Sequence, residues 1–250
     1  MKGPTVWITG ASRGLGAALV HEYVTKGAEV FMTARSAADL RKVALNSGYP
    51  ERCHPLPADV TNDSELKSAI ERARDLGGNI DIAILNAGTY AKSGMDNLDV
   101  GAMRDLFELN VFSVAAALQY LLPGWCKSGT GTCVIVGSVA GDVGLPYAAT
   151  YSASKSALRR LAESLYPEFA RQGLNLHLVS PGFVDTPLTT RNDFPMPFMV
   201  SAARAAHEIA HGVERGTFDI RFPTRMSWLI RLIAALPYHL KFAITKRMLR

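Results

Sequence analysis

The chain has 250 residues, 48% hydrophobic and 20% charged, which is ordinary for one soluble α/β domain with a large core. Its net charge is +5, yet seven Lys or Arg and no Asp or Glu fall between Ile220 and Arg250, leaving about −2 on the rest, so the basic character belongs to a tail and no nucleic-acid partner is expected. No uninterrupted apolar run reaches the ~18 residues of a membrane span, the opening MKGPTVWITG leaves no room for a signal peptide, and three cysteines without metal-ligand spacing (Cys53, Cys126, Cys133) read as reduced thiols of a cytoplasmic protein.

The first predicted strand, TVWIT (5–9), meets Gly10, Gly14 and Gly16 and then a helix over 15–26. Glycines let a backbone turn sharply and approach a ligand closely. This loop, which also holds Ser12, Arg13 and Leu15, would aim backbone N–H groups and a helix N-terminus at a pyrophosphate. A plain βα turn can also use glycines, but a position between the first strand and the first helix is the context of a dinucleotide loop. The second strand, EVFMTA (29–34), ends in TARS (33–36) with no acid for a ribose 2′-hydroxyl. Arg35 and Arg13 could instead clasp a 2′-phosphate, which favours NADP(H) over NAD.

A helix over 36–46, a third strand at 53–59 and a helix over 62–76 follow. The third strand is weak, because Pro55 and Pro57 cannot donate ladder hydrogen bonds. IDIAILN (80–86) is the fourth strand. The next helix, 99–122, is apolar nearly all round; one apolar stripe suffices to dock on a sheet, and a second suggests a face buried against another subunit. The fifth strand, 131–138, ends at Ser138, on the carboxyl edge where open α/β sheets bind ligands. YSASK (151–155) opens a helix over 149–171 and puts Tyr151 and Lys155 on one face. A nearby ammonium favours a phenolate, so the pair can act as a proton donor and acceptor; it can equally be a surface Tyr and Lys. Pro167 predicts a kink or an early end of that helix.

Strands at 174–180 and 217–222 bracket a helix over 201–214. The alternation predicts βαβ units in a Rossmann-type, doubly wound α/β domain with a seven-stranded, mostly parallel sheet, spanning residues 1–223. Between them NDFPMPFMV (192–200), with Phe194, Met196, Phe198 and Met199, is expected to form an apolar lid over a hydrophobic substrate or to pack on the core or a neighbour. Residues 224–250 form a basic, apolar helical extension broken at Pro237. It is expected to pack on the domain or a subunit boundary, or to lie against an anionic membrane surface as a peripheral contact.

Together TGASRGLG (9–16), ADV (58–60), NAG (86–88), Asn110 in ELNVF, Ser138 in VIVGSVAG, YSASK (151–155) and PGFVDTP (181–187) resemble the short-chain dehydrogenase/reductase family over residues 4 to about 222. The resemblance implies Tyr151 as general acid/base, Lys155 as the group that lowers its pKa and binds the nicotinamide ribose, Ser138 on the substrate oxygen, and Asn110 holding a relay water. It implies Asp59 and Val60 beside the adenine, Asn86, Ala87 and Gly88 along the cofactor, and Pro181, Gly182, Val184 and Thr186 at the nicotinamide. The expected activity is NADP(H)-dependent reduction of an apolar carbonyl or oxidation of the alcohol, in a homodimer or homotetramer. A 3-oxoacyl reductase of fatty-acid synthesis and a non-catalytic NADP-binding regulator are the alternatives. The six histidines show no paired spacing, and no metal is expected.

Overall fold

The structure, a computed structural model, describes residues 3–191 and 196–249. The elements are β1 (Thr5–Thr9), α1 (Gly14–Thr25), β2 (Glu29–Thr33), α2 (Ala37–Asn46), β3 (Cys53–Pro55), α3 (Asp63–Gly77), β4 (Ile82–Leu85), α4 (Val100–Phe107), α5 (Ser113–Ser128), β5 (Thr132–Val136), α6 (Ala149–Arg171), β6 (Asn175–Pro181), β7 (Val184–Asp185), β8 (Val200–Ser201), α7 (Ala202–Glu214), β9 (Asp219–Phe222), α8 (Thr224–Ala235) and α9 (Tyr238–Lys246). Seven strands make one parallel sheet in the order β3-β2-β1-β4-β5-β6-β9, and β7 pairs with β8 outside it. The order reverses direction between β1 and β4, which opens a crevice at the carboxyl ends of those strands.

The inner strands β1, β4 and β5 are largely apolar because both faces are covered. On one face α1, α2 and α7 bury Leu19, Val24, Leu40 and Ile209 against Val6, Ile8, Val30 and Met32. On the other, α3, α5 and α6 bury Leu66, Ile70, Leu118, Leu121 and Leu158 against Trp7, Phe31, Ala83 and Cys133. In α3 the buried positions 66, 69, 70 and 73 follow the helical period. Each fully buried Leu, Ile or Phe contributes about 1.5–3 kcal/mol.

Three expectations change. β3 covers only 53–55, although Leu56 N and Ala58 N still donate to Met32 O and Ala34 O beyond it; the prolines remove alternate donors and the ladder stops being regular. α6 runs through Pro167 to Arg171, and Pro167 lies on the exposed side, where solvent can replace the lost N–H. The helix expected at 99–122 is α4, a π-helical turn at Glu108–Phe112 and then α5. The stretch Val100–Ser128 is long and apolar enough to cross a membrane, with mean hydropathy 1.3. Its Leu106, Val114, Leu118, Leu121 and Trp125 are nevertheless buried, as in a core helix. Its outward side holds Ala115, Gln119 and Cys126, with Val100 and Phe112 exposed as well.

A buried ion network braces the end of the sheet near α6. Arg159 meets Asp142 at 2.7 Å and Asp219 at 3.2 Å. Arg221 pairs with Asp142 and Asp219, Arg231 reaches Asp219 at 3.2 Å, and Ser180 donates to Asp219 at 2.7 Å. Burial by itself raises the Asp219 carboxyl, but Ser180, Arg221 and Arg159 outweigh it and hold the group below its ordinary 3.8. A carboxylate whose folded value lies below its unfolded one stabilises the fold above 3.8 and loses that contribution as the pH falls through the folded value. Asp219→Asn is therefore expected to lower the Tm at neutral pH, with the gap to wild type closing as the pH drops below 3.8. Parallel Tm–pH curves for the two proteins would remove Asp219 from the acid sensitivity.

Candidate active site

The crevice between β1 and β4 is a cleft of about 910 Å³, within the usual range for small-molecule sites. Gly10, Ser12, Arg13 and Gly14 line it from the first turn, Arg35 and Ser36 from the end of β2, Asp59, Val60 and Thr61 from beyond β3, and Asn86 to Tyr90 from beyond β4. Thr186 and Leu188 close it from above β6. Gly10 has φ +66°, and a β carbon there would lie 2.9 Å from Ala87 Cα. A β carbon on Gly16 would stand 2.1 Å from the Gly10 carbonyl oxygen. The glycines thus let α1 start directly against the turn. Leu15 and Gly16 form the backing of the loop and do not line the cleft.

The start of α1 has no capping side chain and no acid in its first turn, whereas Ser36, Asn62 and Ser201 cap α2, α3 and α7. Its backbone N–H groups and positive dipole end suit a pyrophosphate. Thr9 fixes the opposite wall, its hydroxyl accepting from both Asn86 N and Ala87 N at 3.0 Å. At the adenosine end Asp59 Oδ1 accepts from Thr61 N at 2.9 Å and Thr61 Oγ1 at 2.7 Å. Burial pushes this carboxyl up, but the Thr61 donors and the nearby Arg35 win and hold it below its ordinary value.

The four proposed catalytic residues come from three elements; none of them lines the cleft itself, but Tyr90 of its wall stands against Tyr151, and Gly88 stands beside Asn110 and Lys155. Ser138 follows β5, and its hydroxyl accepts from Ala140 N at 3.1 Å and lies close enough to the Tyr151 phenol to pull its pKa down in part. Tyr151 and Lys155 lie one turn apart on α6, with the ammonium 5.8 Å from the tyrosine ring centroid. Lys155 Nζ donates to Val136 O at 2.9 Å, and burial lowers its pKa from 10.5 to about 8. Asn110 sits in the π-helical turn, fully buried. Its amide donates to Thr89 O at 3.0 Å and Ser154 Oγ at 3.2 Å, while its oxygen accepts from Thr89 N at 2.8 Å. The side chain thus ties the loop after β4 to α6. A β carbon on Gly88 would lie 3.1 Å from Asn110 Oδ1 and 3.7 Å from Lys155 Nζ, so glycine keeps that corner open.

One expectation about Tyr151 is reversed. Burial raises its pKa above the ordinary 10.0, the Ser138 hydrogen bond pulls it back in part, and Tyr90 adds a further rise. Desolvation of the phenol therefore outweighs any lowering by Lys155. Tyr90 packs edge-on to Tyr151 at 5.3 Å, and its hydroxyl donates to Tyr147 O at 3.3 Å. Tyr147 holds a left-handed backbone, φ +58°, a strained conformation for a non-glycine residue. Thr9, Thr89, Tyr90, Tyr147 and Ser154 were not singled out in the sequence. Only Thr89 and Tyr90, directly after NAG, carried a positional hint.

Pro181 and Val184 are buried, and a β carbon on Gly182 would touch Pro223 and Met226; these three support the site from the α8 side, and of that segment Thr186 reaches the cleft. The expected lid lies partly outside the described residues, Phe194 among them; Met196 is half-buried and Phe198 and Met199 are exposed. Among the described residues no group of three or more His, Cys, Asp or Glu is placed to hold a metal ion.

The short chain dehydrogenase family matches residues 4–194. An uncharacterized oxidoreductase of Myxococcus xanthus is 33% identical over 98% of this chain and 97% of its own length. A short chain dehydrogenase of Burkholderia cenocepacia, solved in complex with NADP, superposes with a TM-score of 0.85 at 29% identity over 98% of both chains. A short chain dehydrogenase/reductase of Burkholderia phymatum, solved with NAD, gives 0.84 at 21% identity over 92% of both chains.

The buried lysine has a measurable signature. Between about 8 and 10.5 the unfolded chain holds more protons on this side chain than the folded one, so stability rises with pH across that window. Lys155→Met is expected to lose this rise, so that the unfolding free energy of wild type minus that of the variant becomes more positive from pH 8 to 10.5. A constant difference would show that the ammonium is not desolvated.

Proposed function

The chain belongs to the short-chain dehydrogenase/reductase family, and on that premise we propose that it is an NADP(H)-dependent reductase of an apolar carbonyl compound, secondary-alcohol oxidation being the reverse reaction. The observation that carries this reading is the pairing of Tyr151 with Ser138 and with the buried Lys155, directly behind Tyr90 and Gly88 of the cleft wall. The residues present fit that cofactor. The glycine turn and uncapped start of α1 suit a pyrophosphate, and Arg13 and Arg35 suit a 2′-phosphate at a strand end that has no acid. Bound there, the cofactor would supply the hydride.

The protein's own part is proton delivery and charge stabilisation. A carbonyl being reduced gathers negative charge on its oxygen. Ser138 and Tyr151 present two hydroxyls to one point, so both can donate to that oxygen as the charge develops. The raised pKa of Tyr151 keeps its proton in place at neutral pH, as an acid for this direction requires. Lys155 supplies positive charge beside the phenolate left behind, and Val136 O fixes its position. Tyr90 and Tyr147 wall the same end with aromatic surface, which favours an apolar substrate.

Tyr151→Phe keeps the ring and removes the proton. It is expected to retain NADPH binding and to lose about 10²- to 10⁴-fold in turnover, followed as NADPH oxidation against a panel of carbonyls; activity within threefold of wild type would end the assigned role. Arg35→Asp is expected to move the ratio of kcat/KM values from NADPH toward NADH, since the new carboxylate repels a 2′-phosphate and accepts from a 2′-hydroxyl. An unchanged ratio would leave Arg35 a surface charge.

A further inference from the structure

The C-terminal helices leave an apolar face uncovered while their inner face is already filled. Met226, Ile230 and Ile233 of α8 are 4–6% exposed and pack on Val139 and Val143, with Leu145, Phe183 and Ile244 around them. On the outer side Trp228 is 68% exposed, Leu232 63%, Tyr238 71% and Phe242 53%. Basic residues are interspersed with these groups along α8 and α9: Arg225, Lys246 and Arg247 are exposed, and half-buried Lys241 lies 4.9 Å over the Tyr238 ring. No acid occurs from residue 220 to 250. Monomeric soluble proteins seldom expose aromatic and aliphatic groups at this density without a partner.

We propose that this face docks on a membrane surface bearing anionic lipid. Two copies of the chain meeting face to face would set basic residues against basic residues with no acid between them, a like-charge contact that opposes association. An anionic headgroup layer supplies the complementary charge, and the interface below it accepts Trp, Tyr, Phe and Leu side chains. Arg and Lys stems can lie along the apolar surface with their charged ends at the headgroups. The site of docking matters because the inner face of α8 packs on Val139 and Val143, directly after Ser138, and on Phe183 beyond β6. A docked face therefore borders the substrate end of the cleft. Taken with the proposed carbonyl reduction, on which this last step rests, it assigns the substrate to the class of carbonyl compounds that partition into lipid.

The test is co-sedimentation of the full-length protein with vesicles of phosphatidylglycerol and phosphatidylcholine, and with phosphatidylcholine alone. Binding is expected to the anionic vesicles only and to be lost in about 1 M salt, where the Debye length is ~3 Å. The triple variant Arg225→Glu, Lys241→Glu, Lys246→Glu is expected to bind at least ~100-fold more weakly, at roughly fivefold per basic residue. Trp228→Ser with Leu232→Ser and Phe242→Ser is also expected to lose binding. All six positions lie on the outer surface, so reduction of a water-soluble carbonyl is expected to stay at the wild-type rate. Absence of wild-type binding at low salt overturns the proposal, as does binding that survives both triple variants. A dimer in solution that the serine variants dissociate also overturns it and assigns the face to a second copy. Vesicle binding without carbonyl turnover would leave the docking in place and end the reductase reading instead.

Discussion

Lys155 is 6% exposed and, among the described residues, faces no carboxylate, and the candidate site is arranged around that burden. A buried ammonium is costly unless its donors are met. Val136 O meets one, which fixes α6 against the end of β5 and so fixes Tyr151 above Ser138. Gly88 keeps side chains away from the same corner, and Asn110 holds the Gly88–Thr89 backbone to α6 through Ser154. The π-helical turn that places Asn110 inward is an irregularity with a purpose, since a regular helix there would turn the side chain to another face. Burial of Lys155 sets an ammonium beside the Tyr151 ring, where the proposed reaction would use its charge.

A second constraint is the close approach of backbones at the point where the strand order reverses. The Gly10 carbonyl lies where a side chain on Gly16 would begin, and Ala87 lies where one on Gly10 would begin. The first glycine turn and the segment after β4, distant in sequence, therefore share one small volume. Thr9, bonded to both Asn86 and Ala87, ties the two walls together, and the lining between them holds Arg13 and Arg35 together with Asp39, Asp59, Asp105 and Glu108.

The network of Asp142, Arg159, Asp219, Arg221 and Arg231 joins these parts to the tail. Asp142 lies four residues beyond Ser138, Arg159 one turn beyond Lys155, and Arg231 on α8. The loop that carries Ser138, the helix that carries Tyr151 and the C-terminal helices are thereby held by shared counter-charges, in addition to the apolar contacts of Val139 and Val143 with α8. Whatever the outer face of α8 meets is mechanically continuous with the substrate end of the site.

The sequence by itself determined the βαβ order, the parallel sheet, the glycine turn and the family, because period, strand composition and motif spacing are local properties. Tyr151 and Lys155 were legible as a pair since four residues on a helix make one face, and Ser138 because it ends a strand at the ligand-binding edge. The tertiary structure alone decided what depends on contacts between distant residues. It shortened the third strand at Pro55, carried α6 through Pro167, and broke the helix at Asn110 into a π-helical turn. It turned the expected lowering of the Tyr151 pKa into a rise, because desolvation is set by what surrounds a group in space and not by its neighbour in sequence. It also separated the two faces of the tail: composition showed an apolar, basic helix, but only packing against Val139 and Val143 showed which face was already filled and which was left to meet a partner.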